Sequence, residues 1–146
     1  MAVLIRNYLR VEAGRIQFDL YLREPIVTIG GDSSTGKTFL LKYVKAWQGE
    51  HKFEDILVID DYNHLDEMKQ KIKGSKQKLI IIDYADSMLP LMDLCGYDFI
   101  ADQENQYLIF TRSGMEYGAR DTGLGKFVQN DNTIRISYLI TRGVNA

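Results

Sequence analysis

Four short apolar runs constrain this chain more than any other feature: Ile26-Val27-Thr28-Ile29, Ile56-Leu57-Val58-Ile59, Leu79-Ile80-Ile81-Ile82 and Tyr107-Leu108-Ile109-Phe110. A strand with one wet face alternates apolar and polar side chains, whereas a near-continuous apolar run suits a strand covered on both faces. Helical spacing fills the gaps between the runs. Phe39, Leu40, Tyr43, Val44 and Trp47 fall on one face of a helix predicted from about Gly36 to Gln48, with Gly49 as its stop. Leu65, Met68 and Ile72 mark a second helix, capped by Asn63 with Asp66 at its third position and ended by Gly74. Ser87 is read as the cap of a third, with Pro90 in its first turn. Strand and helix alternate from Ile26 to Phe110, which predicts an α/β fold with a mainly parallel sheet.

Two hairpins are expected to flank this core. Ala2 to Tyr8 and Arg15 to Leu22 read as strands around the turn Glu12-Ala13-Gly14. Lys126 to Gln129 and Thr133 to Ile140 read as a closing hairpin around Asn130-Asp131-Asn132. Ser113 to Gly125 holds four glycines and little periodicity, and reads as a loop. No repeat, low-complexity tract or linker interrupts residues 1–146, so one domain is expected.

Composition excludes little but orders the options. The formal charge of -2 gives no overall pull toward nucleic acid or an acidic membrane. Lys69, Lys71, Lys73, Lys76 and Lys78 are dense, but their spacing scatters them around a helix rather than along one face. No apolar run approaches the roughly 20 residues of a membrane span, and MAVLIRNYLR has no useful leader core. The single Cys95 sits in an apolar stretch and reads as a buried, inert thiol. These features fit a cytoplasmic location. His51 and His64 lack Cys or His neighbours at zinc-ligand spacing.

One corner carries the chemistry. Gly31-Asp32-Ser33-Ser34-Thr35-Gly36-Lys37-Thr38 satisfies G-x-x-x-x-G-K-[ST], between a predicted strand and a predicted helix. Glycines let successive backbone N–H groups turn inward, and the helix N-terminus adds partial positive charge. In that pattern Lys37 reaches the β- and γ-phosphates and Thr38 offers its hydroxyl to Mg²⁺. An ordinary Gly-rich turn would instead feed a helix with an exposed lysine. The expected ligand is a nucleoside triphosphate. Such a site needs a carboxylate at a neighbouring strand end to hold the hydrated metal. Asp83 ends one apolar run and Asp60, followed by Asp61, ends another.

GGDSSTGKT together with LIIID resembles the Walker A and Walker B motifs of P-loop NTPases. With a further strand and helix between them and a strand after, the chain is similar to the additional-strand branch of ATPase cores. The resemblance implies a three-layer fold, ATP and Mg²⁺ as ligands, Lys37 and Asp83 as site residues, and Thr111 or Arg112 as the γ-phosphate sensor. It also implies sites completed by a second copy or a protein partner. Efficient members carry Glu directly after the Walker B Asp, and here Tyr84 stands there. Asp86, three residues on from Asp83, is a substitute or a plain helix cap; Glu116 is a weaker substitute. Arg120 is a further candidate contact to phosphate or a partner. No N-K-x-D guanine reader, LSGGQ-type signature or lid domain is present. The expected function is ATP binding with slow hydrolysis by the isolated chain. The alternatives are a nucleotide-gated binding module and a small-molecule or nucleotide kinase.

Overall fold

The structure is a computed structural model that describes residues 4–31, 36–112 and 122–141. Strands β1 (Tyr8–Ala13), β2 (Ile16–Tyr21) and β3 (Ile26–Gly30) lead into helix α1 (Lys37–Gln48). Then follow β4 (Ile56–Ile59), α2 (Leu65–Gly74), β5 (Leu79–Ile82), α3 (Ala85–Leu91), α4 (Gly96–Ala101) and β6 (Gln106–Phe110). The closing strands are β7 (Thr122–Asn130) and β8 (Thr133–Thr141).

All the strands join one eight-stranded sheet in the order β1-β2-β8-β7-β3-β6-β5-β4. The sheet is mixed, which differs from the expected mainly parallel one. Parallel pairs join β7, β3, β6, β5 and β4, while β1/β2 and β7/β8 are antiparallel. The two hairpins are not appendages to a core. β7 continues the sheet beside β3, and β2 and β8 meet in parallel through Gln17↔Thr133 and Phe18↔Ile134.

Alternate strand residues point to opposite faces, and the core divides accordingly. Leu79, Ile81, Leu108 and Phe110 pack with Leu40, Leu41 and Val44 of α1. Ile80, Ile82, Tyr107 and Ile109 pack with Met68 and Ile72 of α2, Met88 and Leu89 of α3 and Phe99 of α4. Helices thus cover both faces of β5 and β6, as continuous apolar runs require. The α1 side also gathers Leu9, Val11, Phe18, Leu20, Phe127 and Ile134 from the hairpins. In a flat sheet β1 would lie about 19 Å from β3. Trp47 of α1 nevertheless donates its indole N–H to Glu12 O of β1 at 3.3 Å. The sheet therefore curls around α1.

Several local expectations are corrected. The first strand runs over Tyr8–Ala13, not Ala2 to Tyr8, and its turn is Gly14-Arg15, with Gly14 at φ 65°. Leu9, Val11 and Ala13 are buried while Arg10 and Glu12 are exposed, the alternation of a half-wet strand. Asn63 does not cap α2; His64 precedes the helix, and Asp61 takes both the Asn63 N–H and the His64 ring. Helix α3 starts before Ser87, because Tyr84 turns the chain at φ 51° and Ala85 is already helical. Pro90 therefore falls in the last turn of α3 rather than the first. A separate helix, α4, follows, and Cys95 at its start is exposed, not buried. The second closing strand pair begins earlier than expected, with Thr122–Gly125 already in β7. Residues 113–121 of the predicted loop, with Glu116 and Arg120, lie outside the described residues. No helix among the described residues is long and apolar enough to cross a membrane.

Candidate functional site

Loops at the carboxyl ends of parallel strands form the usual ligand crevice of an open α/β sheet. Here the C-terminal ends of β3, β6, β5 and β4 present Gly31, Thr111-Arg112, Asp83 and Asp60, respectively. The chain leaves β3 at Gly31 (φ 111°) and enters α1 through Gly36 (φ 99°), both in the region that L side chains avoid. Its φ favours glycine at 36, and space there is tight as well: a Cβ would stand 3.2 Å from Ile134 Cδ1 and 3.7 Å from the Phe18 ring. Asp32, Ser33, Ser34 and Thr35, between these glycines, lie outside the described residues.

Among the described residues, helix α1 has no side-chain cap, and its first turn holds no acid. A helix N-terminus of this kind attracts anions. Lys37, the first helical residue, is only 5% exposed. A turn lysine of no function would be solvated; this one is folded inward, where a buried charge requires acceptors. Its ammonium donates to Gly31 O of its own loop and to Thr111 O of β6 at 2.8 Å.

Asp83 directly follows β5 and is 6% exposed. Its Oδ1 accepts the Tyr84 N–H at 2.9 Å. Burial pushes its carboxyl above the ordinary range; the Tyr84 amide and the Lys37 charge pull it back, and Asp60 pushes it up further. A cavity of about 230 Å³ opens beside it, lined by Lys37, Thr38, Asp83, Asp86, Thr111 and Arg112 among others. That is below the roughly 300–1,000 Å³ that encloses a drug-sized molecule. It suits a phosphate chain with the rest of the ligand outside.

Asp86 lies in the first turn of α3, and its Oδ2 accepts the backbone N–H of Arg112 at 2.7 Å. It is therefore neither the N-cap of that helix nor remote from the cavity. Arg112 is exposed at the rim and Thr111 is buried in the wall. Thr38 and Asp83 also line a second cavity, with Lys42, Lys45, Asp60 and Tyr84. Of the predicted site residues that are described, Gly36, Lys37, Thr38, Asp83, Asp86 and Arg112 all gather at this sheet edge.

Sequence reasoning missed three participants. Tyr84 lines both cavities and Ser87 lines the first, although one was read as a missing Glu and the other as a cap. A polar residue four positions after Asp83 was the available signal for Ser87. The third, the Thr111 carbonyl, belongs to the backbone and leaves no mark on residue type. No family model matches the chain, and no curated protein or solved structure matches it either.

Proposed function

We propose that this chain is a P-loop nucleotide-binding protein of the additional-strand type that binds ATP with Mg²⁺ and hydrolyses it slowly when alone. The observation that carries the reading is the inward-folded Lys37 at the N-terminal end of α1, in one cavity with Thr38 and the buried Asp83. A cation, a helix N-terminus and a carboxylate around one cavity suit a metal-bound phosphate chain. The strand order supports the same reading, since β6 lies between the loop-bearing β3 and the acid-bearing β5.

The residues fit the metal that the motif implies. Asp83 offers a carboxylate whose position is set by the Tyr84 amide, and Thr38 offers a hydroxyl to the same cavity. Mg²⁺, when bound, supplies neutralising charge to the β- and γ-phosphate oxygens. The chain's own groups do the rest: Lys37 binds the phosphates, Gly31 and Gly36 shape the loop, and Thr111-Arg112 lines the same cavity.

Slow turnover follows from Tyr84. The position after Asp83 carries an aromatic side chain that is 51% exposed, where a water-orienting carboxylate belongs in efficient relatives of this type. Phosphoryl transfer rests on positioning and electrostatics, so the substitution slows hydrolysis without preventing binding. The same observation favours the second reading, a module in which ATP organises a surface and turnover is incidental. A second copy or protein partner that supplies the missing group would join the two.

Mg²⁺-dependent ATP turnover and nucleotide affinity, measured for wild type and Lys37→Ala, test the proposal. Turnover that vanishes in the variant identifies an ATPase. Tight binding without turnover identifies the module. Phosphate transfer to an added acceptor would identify a kinase, and equal nucleotide affinity in both proteins would overturn the site.

A further inference from the structure

The peptide group between Thr111 and Arg112 is held at both poles. Its carbonyl oxygen accepts from Lys37 Nζ at 2.8 Å, and its N–H donates to Asp86 Oδ2 at 2.7 Å. A buried ammonium and a carboxylate are thus joined through one backbone dipole at the end of β6. Each bond has one charged partner, the stronger kind of hydrogen bond. Linked bonds also polarise one another, by about 10–30% each. The carboxylate on the N–H makes the Thr111 carbonyl a better acceptor for the lysine.

We propose that Asp86 is a positioning residue for Lys37: through the Thr111–Arg112 peptide it holds the ammonium at the β6 corner until a phosphate takes it. The inference rests on the phosphate-site reading above, but it gives Asp86 a different task from orienting water. Phosphate oxygens and the Thr111 carbonyl compete for the same ammonium. Weakening the carbonyl's hold therefore favours the phosphate. Asp86→Asn keeps an oxygen that accepts the Arg112 N–H but removes the charge that polarises the peptide.

The test is a double-mutant cycle with a fluorescent, non-hydrolysable ATP analogue as probe, using wild type, Asp86→Asn, Lys37→Met and the double variant. Asp86→Asn is expected to bind the probe about twofold to fourfold more tightly, because the lysine's bond stays charge-assisted and loses only the fraction that the linked carboxylate adds. In the Lys37→Met background the same change should shift affinity by less than about 1.5-fold, because the residue it acts through is gone. Equal tightening in both backgrounds would overturn the proposal, since Asp86 would then act on the nucleotide directly. Unchanged affinity with lowered turnover would also overturn it, in favour of a water-orienting role.

A second measurement needs no nucleotide. In the free protein, Lys37→Met should speed hydrogen exchange of the Arg112 amide, read by NMR. Unchanged exchange would overturn the clamp. If wild type binds no probe while Lys37→Met still speeds that exchange, the clamp stands and the phosphate-site reading has failed.

Discussion

Lys45 and Asp60 form an ion pair at 2.8 Å and line the second cavity together with Asp83. The two candidate metal acids thereby differ in kind. Asp60 has a cation of its own. Asp83 is more deeply buried, is bonded to its neighbour's amide, and faces the cavity that also holds Lys37.

That contrast sets the first prediction. Asp83→Asn should abolish the tightening of ATP binding by Mg²⁺, and Asp60→Asn should leave most of it intact. Titration of nucleotide with and without Mg²⁺ reads both; the reverse result would move the acid to β4. Asp83→Asn should also raise the melting temperature at neutral pH. An acid whose folded pKa is raised opposes folding as pH climbs from its ordinary value of 3.8 through the raised one. The gain should disappear in thermal scans below that ordinary value, where the carboxyl is protonated in both states.

Lys37→Ala should weaken ATP binding by about 10- to 100-fold, the loss of one charge-assisted contact to phosphate. Calorimetric titration at fixed Mg²⁺ checks it. The fold should persist with a lowered melting temperature, because the buried Thr111 carbonyl loses a donor while the apolar core is untouched.

Gln106 ties the start of the chain to the sheet. Its Oε1 accepts the N–H groups of Ile5 and Arg6 at 2.8 and 2.7 Å, and its Nε2 donates to Arg6 O at 2.8 Å. Gln106 itself is fully buried. Gln106→Leu should destabilise the protein by about 2–3 kcal/mol, as these backbone groups lose their partner and must find water. Urea unfolding would show a lower midpoint with an unchanged slope.

Arg6 and Asp55 form a two-pronged pair, Nε to Oδ2 and Nη2 to Oδ1. The Arg6 hydrogen bonds hold the Asp55 carboxyl below its ordinary 3.8, burial opposing and the Arg6 charge adding. A depressed acid stabilises the fold above its unfolded pKa and loses that contribution as pH falls through the folded value. Asp55→Asn should therefore lower stability at neutral pH and flatten its decline between pH 4 and lower values. Fluorescence-monitored unfolding across that range reads the slope, and parallel curves for the two proteins would contradict the sign.

Local physics made part of this structure readable in advance. The runs Ile56–Ile59 and Leu79–Ile82 are strands with the expected bounds, because a four-residue apolar run has few other stable uses. Helix α1 and the inward corner residues Lys37 and Asp83 were legible for the same reason: spacing and residue type carry the information. What failed depends on distant partners. Nothing near Phe18 signals that it will sit beside Ile134. Nothing in Ser87-Met88-Leu89-Pro90 reveals that Tyr84 adopts a left-handed turn and starts the helix early. Cys95 lies among apolar residues in sequence, yet its helix turns it outward. The lysine's link to Thr111 is a backbone contact across 74 positions, invisible to any residue pattern.

The brace behind Gly36 has a further consequence. Its walls are Phe18 from the second strand and Ile134 from the last. Every side chain assigned to the phosphate site is present once residue 112 has been made, but the surface against which the loop glycine rests is not. During synthesis the motif would be complete in composition and still lack its backing until β8 docks beside β2. Late, long-range closures of this kind are slow to form. The Gly36 corner would therefore take its final shape only near the end of folding, with the first and final hairpins acting together as the last piece of the mould.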